Sequence, residues 1–261
     1  RRAGRVGCVA PTRSSAEGEP LGLGELVHLA LGVARAKLAA ELFWGRREEL
    51  LLTDDELRHI QDRYVLAARA AARAGFEFVD VKACHGYLLH EFLSAHTRPG
   101  KFGGSFDNRT RILRDIIAGI RADGNGIDIG VRLSLFDMVP FRPDPALSQP
   151  GKLGPGIPEE HATLLPYHYA FGVNQAKPTE IDLTETFAFV QLLGELGVKI
   201  LNTTAGSPYY NPHLQRPAAY PPSDGYQPAH DPLIDVARRA RPLMSDGGAI
   251  TTLTYMGSNR V

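Results

Sequence analysis

Short apolar runs recur along the chain and are separated by polar or glycine-rich stretches. Three of them are rich in β-branched or aromatic residues, which predicts strands at 76–81, 127–135 and 198–202. Shorter runs predict further strands at 5–10, 36–45, 243–244 and 253–256. The strands at 243–244 and 253–256 are each predicted to be followed by a Gly-rich turn.

Longer segments carry apolar residues at helical spacing. The clearest begins at Thr53, which forms an S/T-x-x-E capping box with Glu56, and it ends before Gly75. Similar stripes predict helices over 21–34, 108–122 and 184–196. Strand, helix and strand therefore alternate, which is the pattern of an α/β protein with a parallel sheet.

Two long Pro-rich connections interrupt this alternation. Residues 137–182 predict a lid, because structureless loops of that length often cover binding sites. Residues 203–232 leave the carboxyl end of a predicted strand and are expected to form one wall of the same mouth. The stretches 45–53 and 241–261 are too short for the elements that should fill them, so we expect pieces of the natural chain to be absent near 45–53 and after 241.

Length and composition restrict the class of protein. The 261 residues suit one domain, 1–261, near the size of a (β/α)₈ barrel. Lys plus Arg and Asp plus Glu are 29 each, so no net charge favours nucleic acid or an anionic membrane. A small-molecule substrate is expected, and the sequence leaves the oligomeric state open, a homo-oligomer included.

Cysteine usage and hydropathy predict a cytoplasmic protein. The chain has only 2 cysteines, Cys8 and Cys84, which make neither a disulfide framework nor a zinc-ligand spacing. No apolar run approaches the length of a membrane span. Cys84 is expected to be a buried small residue.

A dense group of chemically active side chains follows the predicted strand at 76–81. It consists of Lys82, Cys84, His85, Tyr87, His90 and Glu91. In parallel α/β proteins ligands bind where strands end, so this stretch is the first candidate site. His90 and His96 are not expected to form a metal site with His85, because no carboxylate or cysteine completes a plausible ligand set with them.

The run that contains these residues resembles the old yellow enzyme family of FMN-dependent oxidoreductases. Residues 85–94 read HGYLLHEFLS and residues 98–109 read RPGKFGGSFDNR. The family has a paired motif at the strand end, then Gly-Tyr-Leu, then a Tyr-Gly-Gly-Ser loop with Asn-Arg before a helix. The resemblance implies a (β/α)₈ TIM barrel with long loops after its strands at the C-terminal face.

The same resemblance implies an activity, cofactors and site residues. The protein would pass a hydride from NADH or NADPH through flavin N5 to a small organic acceptor, as an ene-reductase-like enzyme does with an activated C=C bond. His85 and Lys82 would orient the acceptor oxygen, and Tyr87 would donate the proton. FMN would be held by residues on the first-strand loop, on the Gly-Val-Arg-Leu-Ser strand and on two phosphate turns, namely Ala10, Pro11, Thr12, Arg132, Gly247, Gly248, Gly257 and Arg260.

Lys82 departs from the family pattern, because most members have a histidine there. A cation at this position would suit a carboxylate or a developing enolate oxygen, or Lys82 could pair with Asp80 or Glu91 in a salt bridge. Three alternatives stay open: flavin-dependent oxidation or demethylation of an amine, a Schiff-base lyase of the aldolase type that uses Lys82, and a barrel that only binds a ligand.

Overall fold

The computed structural model describes residues 51–152, 154–211, 214, 232–244 and 249–252. The elements predicted at 5–10, 21–34, 36–45 and 253–256 lie outside these residues. The chain divides into two compact units, one that holds the described residues up to Asp80 together with Asp115–Asp128, and one that holds Val81–Arg114 and the described residues from Ile129 onward. The prediction of a single domain stays a prediction.

The described residues form helices and strands with the following bounds. The helices are α1 (Asp54–Arg73), α2 (Leu88–Leu93), α3 (Phe106–Ala122), α4 (Thr184–Glu195) and α5 (Pro232–Ala240). The strands are β1 (Phe78–Ala83), β2 (Asp128–Ser134), β3 (Phe141–Pro143), β4 (Gly156–Pro158), β5 (Ile200–Thr204) and β6 (Ala249–Thr252). Short 3₁₀ turns occupy Ala162–Leu164 and Arg241–Leu243.

Helix α1 begins and ends where the sequence predicts. The Thr53 side chain accepts a hydrogen bond from the backbone N–H of Glu56, whose carboxylate accepts one from the Thr53 N–H at 2.7 Å. Beyond the helix, Gly75 has φ +83°, a left-handed conformation that glycine adopts at little cost. The Cβ that a larger residue would add at Gly119 would lie 2.8 Å from Val65, so α1 and the second half of α3 are closely packed.

Four of the described strands form one sheet in the order β1-β2-β5-β6, which is also their order along the chain. Strands β2 and β5 are parallel, as are β5 and β6. The α/β class with a parallel sheet is thereby confirmed. The strand predicted at 243–244 is wrong, because Leu243 ends a 3₁₀ turn and the strand is Ala249–Thr252. In the sequence, the Gly-rich stretch 245–248 therefore precedes the strand.

Helix α3 and strand β2 supply much of the core of the described residues. The apolar stripe of α3 is buried along its length, at Ile112, Leu113, Ile116, Ile117 and Ile120. Val131 and Leu133 on β2 are fully buried, as are Phe189, Val190 and Leu193 on α4. The side chains that alternate with Val131 and Leu133 point to the opposite face of the sheet.

The connection at 137–182 is not structureless. Strands β3 and β4 pair antiparallel within it. Val139, Tyr167, Ala170 and Val173 form a small buried cluster, with Phe141 and Leu164 packed against it. The role of this segment as a lid stays a prediction.

Within the part of the chain that the structure describes, no helix is both long and apolar enough to cross a membrane.

Candidate active site at the carboxyl ends of the strands

The turn after β1 presents His85 in an uncommon backbone conformation. His85 has φ +61° and Gly86 has φ +71°, and the Tyr87 N–H donates to the Cys84 carbonyl at 3.2 Å. A left-handed conformation costs a residue with a Cβ about 1–2 kcal/mol. His90 supports the turn, since its Nδ1 accepts a hydrogen bond from the Gly86 N–H at 2.9 Å. Backbone strain of this kind is common at functional sites.

His85 is held by the last residues of two neighbouring strands. Its backbone N–H donates to Ser134 Oγ at 3.1 Å, and its Nε2 lies 3.1 Å from Thr204 Oγ1. Ser134 ends β2, Thr204 ends β5, and the two are register partners in the sheet. The imidazole therefore lies at the carboxyl edge of the sheet, where the sequence predicted the site.

His85 is neutral over most of the pH range. Burial lowers its pKa to about 4, and the positive charges of Lys82 and Arg132 act in the same direction. A neutral imidazole can donate one hydrogen bond and accept another, as the orientation of a substrate oxygen requires.

Lys82 and Tyr87 are in direct contact. The Lys82 ammonium lies 3.4 Å from the centroid of the Tyr87 ring, a cation–π arrangement. The Tyr87 hydroxyl lies 2.8 Å from the hydroxyl of Tyr209, and this hydrogen bond, with burial, raises the pKa of Tyr87 to about 12. Tyr87 is therefore a neutral phenol that can donate a proton.

Arg132 lies on the face of β2 that also carries Ser134. Asn202 is its register partner on β5, and with the Asn202 amide oxygen turned toward the guanidinium it accepts from Arg132 Nε at 3.1 Å and Nη2 at 3.2 Å. This contact fixes the direction of the guanidinium. A half-buried, oriented cation beside a neutral histidine is a suitable environment for an anionic or electron-rich ligand.

The structure thus brings together Lys82, His85, Tyr87 and Arg132. The other predicted FMN contacts lie outside the described residues: Ala10, Pro11, Thr12, Gly247, Gly248, Gly257 and Arg260. Sequence reasoning did not single out Ser134, Asn202, Thr204 or Tyr209. Ser134 and Thr204 could have been suspected as polar residues that end predicted strands, whereas Tyr209 lies in the loop 203–232 that was expected to form a wall of the mouth, without any signal that singled it out. Cys84 is fully buried, as predicted.

The Gly-Gly-Ser loop has a structural role. A Cβ at Gly103 would lie 2.4 Å from the carbonyl oxygen of Arg98, so only glycine fits there. Arg109 is buried and donates to the carbonyl oxygens of Leu93 and Gly104 and to the carboxylate of Glu185. This part of the motif therefore joins α2, α3 and α4.

Fold and site together define an α/β protein with a cluster of proton-donating and cationic groups at the carboxyl ends of its strands. Residues 32–144 match the NADH:flavin oxidoreductase / NADH oxidase family. The match confirms, over this segment, the resemblance to the old yellow enzyme family that the sequence motifs indicated.

Individual relatives share parts of the chain. It is 41% identical over 73 residues to an NADH:flavin oxidoreductase of Gibberella zeae, covering 27% of this chain and 18% of the relative. It is 40% identical over 87 residues to 12-oxophytodienoate reductase 1 of Oryza sativa subsp. japonica, which covers 33% of this chain and 23% of that relative. The matches thus span less than a quarter of each relative. An old yellow enzyme homologue from Zymomonas mobilis superposes with a TM-score of 0.45 and 20% identity over 78% of this chain and 43% of that one.

Proposed function

We propose that this chain forms the substrate-binding part of an FMN-dependent oxidoreductase that uses NADH or NADPH to reduce a small organic acceptor, an activated C=C bond conjugated to a carbonyl. The observation that carries the proposal is the convergence of Lys82, His85 and Tyr87 at the carboxyl ends of the strands. The proposed fold is a (β/α)₈ barrel. Strand order supports it, because the four sheet strands follow chain order, whereas a doubly wound sheet reverses direction at a switch point.

The described residues fit the ring of FMN. Arg132 is half-buried and oriented by Asn202, which suits the electron-rich N1–C2=O edge of an isoalloxazine. When bound, FMN would supply the two-electron chemistry, accepting a hydride from NADH or NADPH and passing it to the acceptor. The phosphate would be held by Gly247, Gly248, Gly257 and Arg260, with the backbone of Ala10, Pro11 and Thr12 beside the ring.

The side chains at the site would act on the acceptor. His85, neutral above about pH 4, would donate a hydrogen bond to the carbonyl oxygen. The Lys82 ammonium would stabilise negative charge as it develops on that oxygen. Tyr87 would deliver the proton from its hydroxyl, because a pKa of about 12 keeps it protonated at neutral pH. A substrate that carries a carboxylate would bind better than a neutral one, since Lys82 replaces the usual histidine.

The test is the visible spectrum of the purified full-length protein after incubation with FMN, followed by anaerobic addition of NADH or NADPH and then an α,β-unsaturated carbonyl compound. We expect flavin absorbance that bleaches with the nicotinamide and returns with the acceptor. A protein that takes up no FMN would exclude the proposal and leave a ligand-binding barrel. Bleaching by a secondary amine without nicotinamide would support amine oxidation instead.

The Schiff-base lyase is less consistent with the geometry. The contact with the Tyr87 ring stabilises the charged ammonium form of Lys82, whereas a nucleophilic amine must be neutral. Borohydride reduction in the presence of an aldehyde substrate should leave Lys82 unmodified, as judged by peptide mass spectrometry. A stable adduct on Lys82 would reverse this assignment.

A further inference from the structure

Tyr209 joins the proton donor of the proposed reaction to the protein surface. Its hydroxyl lies 2.8 Å from that of Tyr87, and the two ring centroids are 6.2 Å apart. Tyr87 is half-buried at the site, whereas Tyr209 is 74% exposed. The pair therefore has one hydroxyl beside the proposed substrate position and one ring largely in water.

The backbone that carries Tyr209 is firmly tied to the segment after β2. The buried carboxylate of Asp137 accepts hydrogen bonds from the Tyr210 hydroxyl at 2.8 Å and from the Asn211 side-chain amide at 2.5 Å. The Gly206 N–H donates to the Phe136 carbonyl at 2.8 Å, and Ser134 Oγ donates to the Gly206 carbonyl at 3.0 Å. Such a network holds Tyr209 in place although its own side chain buries little surface.

We infer that Tyr209 is a positioning residue for the proton donor Tyr87 and returns a proton to it from solvent after each turnover. This inference rests on the proposed role of Tyr87. With Tyr87 as the donor of the hydrogen bond between the two hydroxyls, the bond fixes the position of the Tyr87 hydroxyl and favours the neutral phenol. After Tyr87 has given its proton to the product carbon, the hydrogen bond reverses. Tyr209 then passes its proton to the Tyr87 phenolate and takes one from water, so both phenols are restored.

The matched experiment compares Tyr209→Phe with Tyr169→Phe in the full chain. Both substitutions remove one hydroxyl from an exposed tyrosine, since Tyr169 is 60% exposed, and Tyr169 contacts the Tyr167 ring and not the site. With FMN bound, we expect Tyr209→Phe to lower kcat about tenfold, since general acid catalysis contributes at least that much. The basic limb of the pH profile of kcat should move to lower pH, and the KM for NADH should not change. Tyr169→Phe should match the wild type.

A second readout is independent of activity and of flavin. In protein labelled with ¹³C at tyrosine Cζ, the Tyr87 resonance is assigned by its loss in Tyr87→Phe. Its pKa should fall in Tyr209→Phe from about 12 toward the ordinary tyrosine value of about 10. An unchanged Tyr87 titration would overturn the inference. An unchanged pH profile of kcat in an active Tyr209→Phe enzyme would do the same. Failure of the wild type to bind FMN counts against the proposed function alone, because the titration still reports on the tyrosine pair.

Discussion

At the scale of single residues, the site depends on how neighbouring charges set protonation. His85 is kept neutral first by burial and then by the positive charges of Lys82 and Arg132, and Tyr87 is kept neutral by the hydroxyl of Tyr209. Lys82 thus has two effects. It would place a cation near the proposed acceptor, and it adds to the effect of burial in keeping the adjacent imidazole neutral.

The first prediction concerns Lys82→Met. Removing one of the two cations that depress the pKa of His85 should raise that pKa above about 4, toward the ordinary histidine value of about 6.5. The pH range in which the imidazole is positively charged then extends upward. Histidine ring NMR signals followed against pH would measure the change, with Lys101→Met as the control because Lys101 lies over Phe102 instead. Equal His85 titrations in the two variants would contradict the assigned cause.

At the scale of elements, the Gly-Gly-Ser loop before α3 and the backbone at Gly172 fix how neighbouring segments pack. Arg109 links three helices from a side chain that is 2% exposed. Gly172 has φ +70°, and a Cβ there would lie 2.7 Å from the carbonyl oxygen of Leu135. Both features constrain the protein through packing and backbone geometry, without any contact to a ligand.

The second prediction is that Arg109→Met destabilises the protein strongly. The substitution leaves the carbonyl oxygens of Leu93 and Gly104 without this donor and removes the partner of Glu185. A buried carbonyl oxygen that loses its donor costs about 1–3 kcal/mol, whereas the Glu185 carboxylate is 41% exposed and can return to water. Urea denaturation would measure the change. Arg142→Met is the control, because the pair Arg142–Glu159 is 44% and 46% exposed and should contribute about 1 kcal/mol or less. Similar losses in both variants would refute the structural role of Arg109.

The third prediction separates backbone strain from steric clash. Gly104 and Gly172 both have left-handed backbones, but a Cβ at Gly104 meets nothing within 4 Å. Gly104→Ala should cost about 1–2 kcal/mol for the conformation alone. Gly172→Ala should cost about 1–3 kcal/mol more, because Leu135 and Phe136 must also shift. The midpoint of urea denaturation measures the stability of the two variants. Equal midpoints would show that Leu135 and Phe136 can shift without a measurable cost.

At the scale of the whole molecule, a bound cofactor should stabilise the fold by mass action. The fourth prediction is that FMN at 100 times its Kd stabilises the protein by about 2.7 kcal/mol. For a chain of this size that raises Tm by about 5–10 °C. Arg132→Met should reduce the rise, whereas Arg142→Met should not, as thermal melts with and without FMN would measure. An equal rise in Tm in the two variants would contradict the assignment of Arg132 to the flavin site.

The sequence by itself determined the local elements and the location of the candidate site. The capping box at Thr53, the stripe of α3 and the strands at β1 and β2 follow from short-range spacing, because helices and strands bury one face at a fixed period. Lys82, His85 and Tyr87 are close in sequence, so one strand end was enough to group them. The strand predicted at 243–244 was wrong because two apolar residues are too few to show a periodic pattern. In segment 137–182 the antiparallel pair β3 and β4 was not predicted, because each strand is only three residues long.

Only the tertiary structure decided which groups complete the site. Ser134 and Thr204 are neighbours through sheet register, and Tyr209 reaches Tyr87 from 122 positions away because Asp137 anchors its loop. The low pKa of His85 likewise needs burial and two cations that come from different strands. These properties depend on distances across the sheet, which hydrophobic spacing along one segment does not specify.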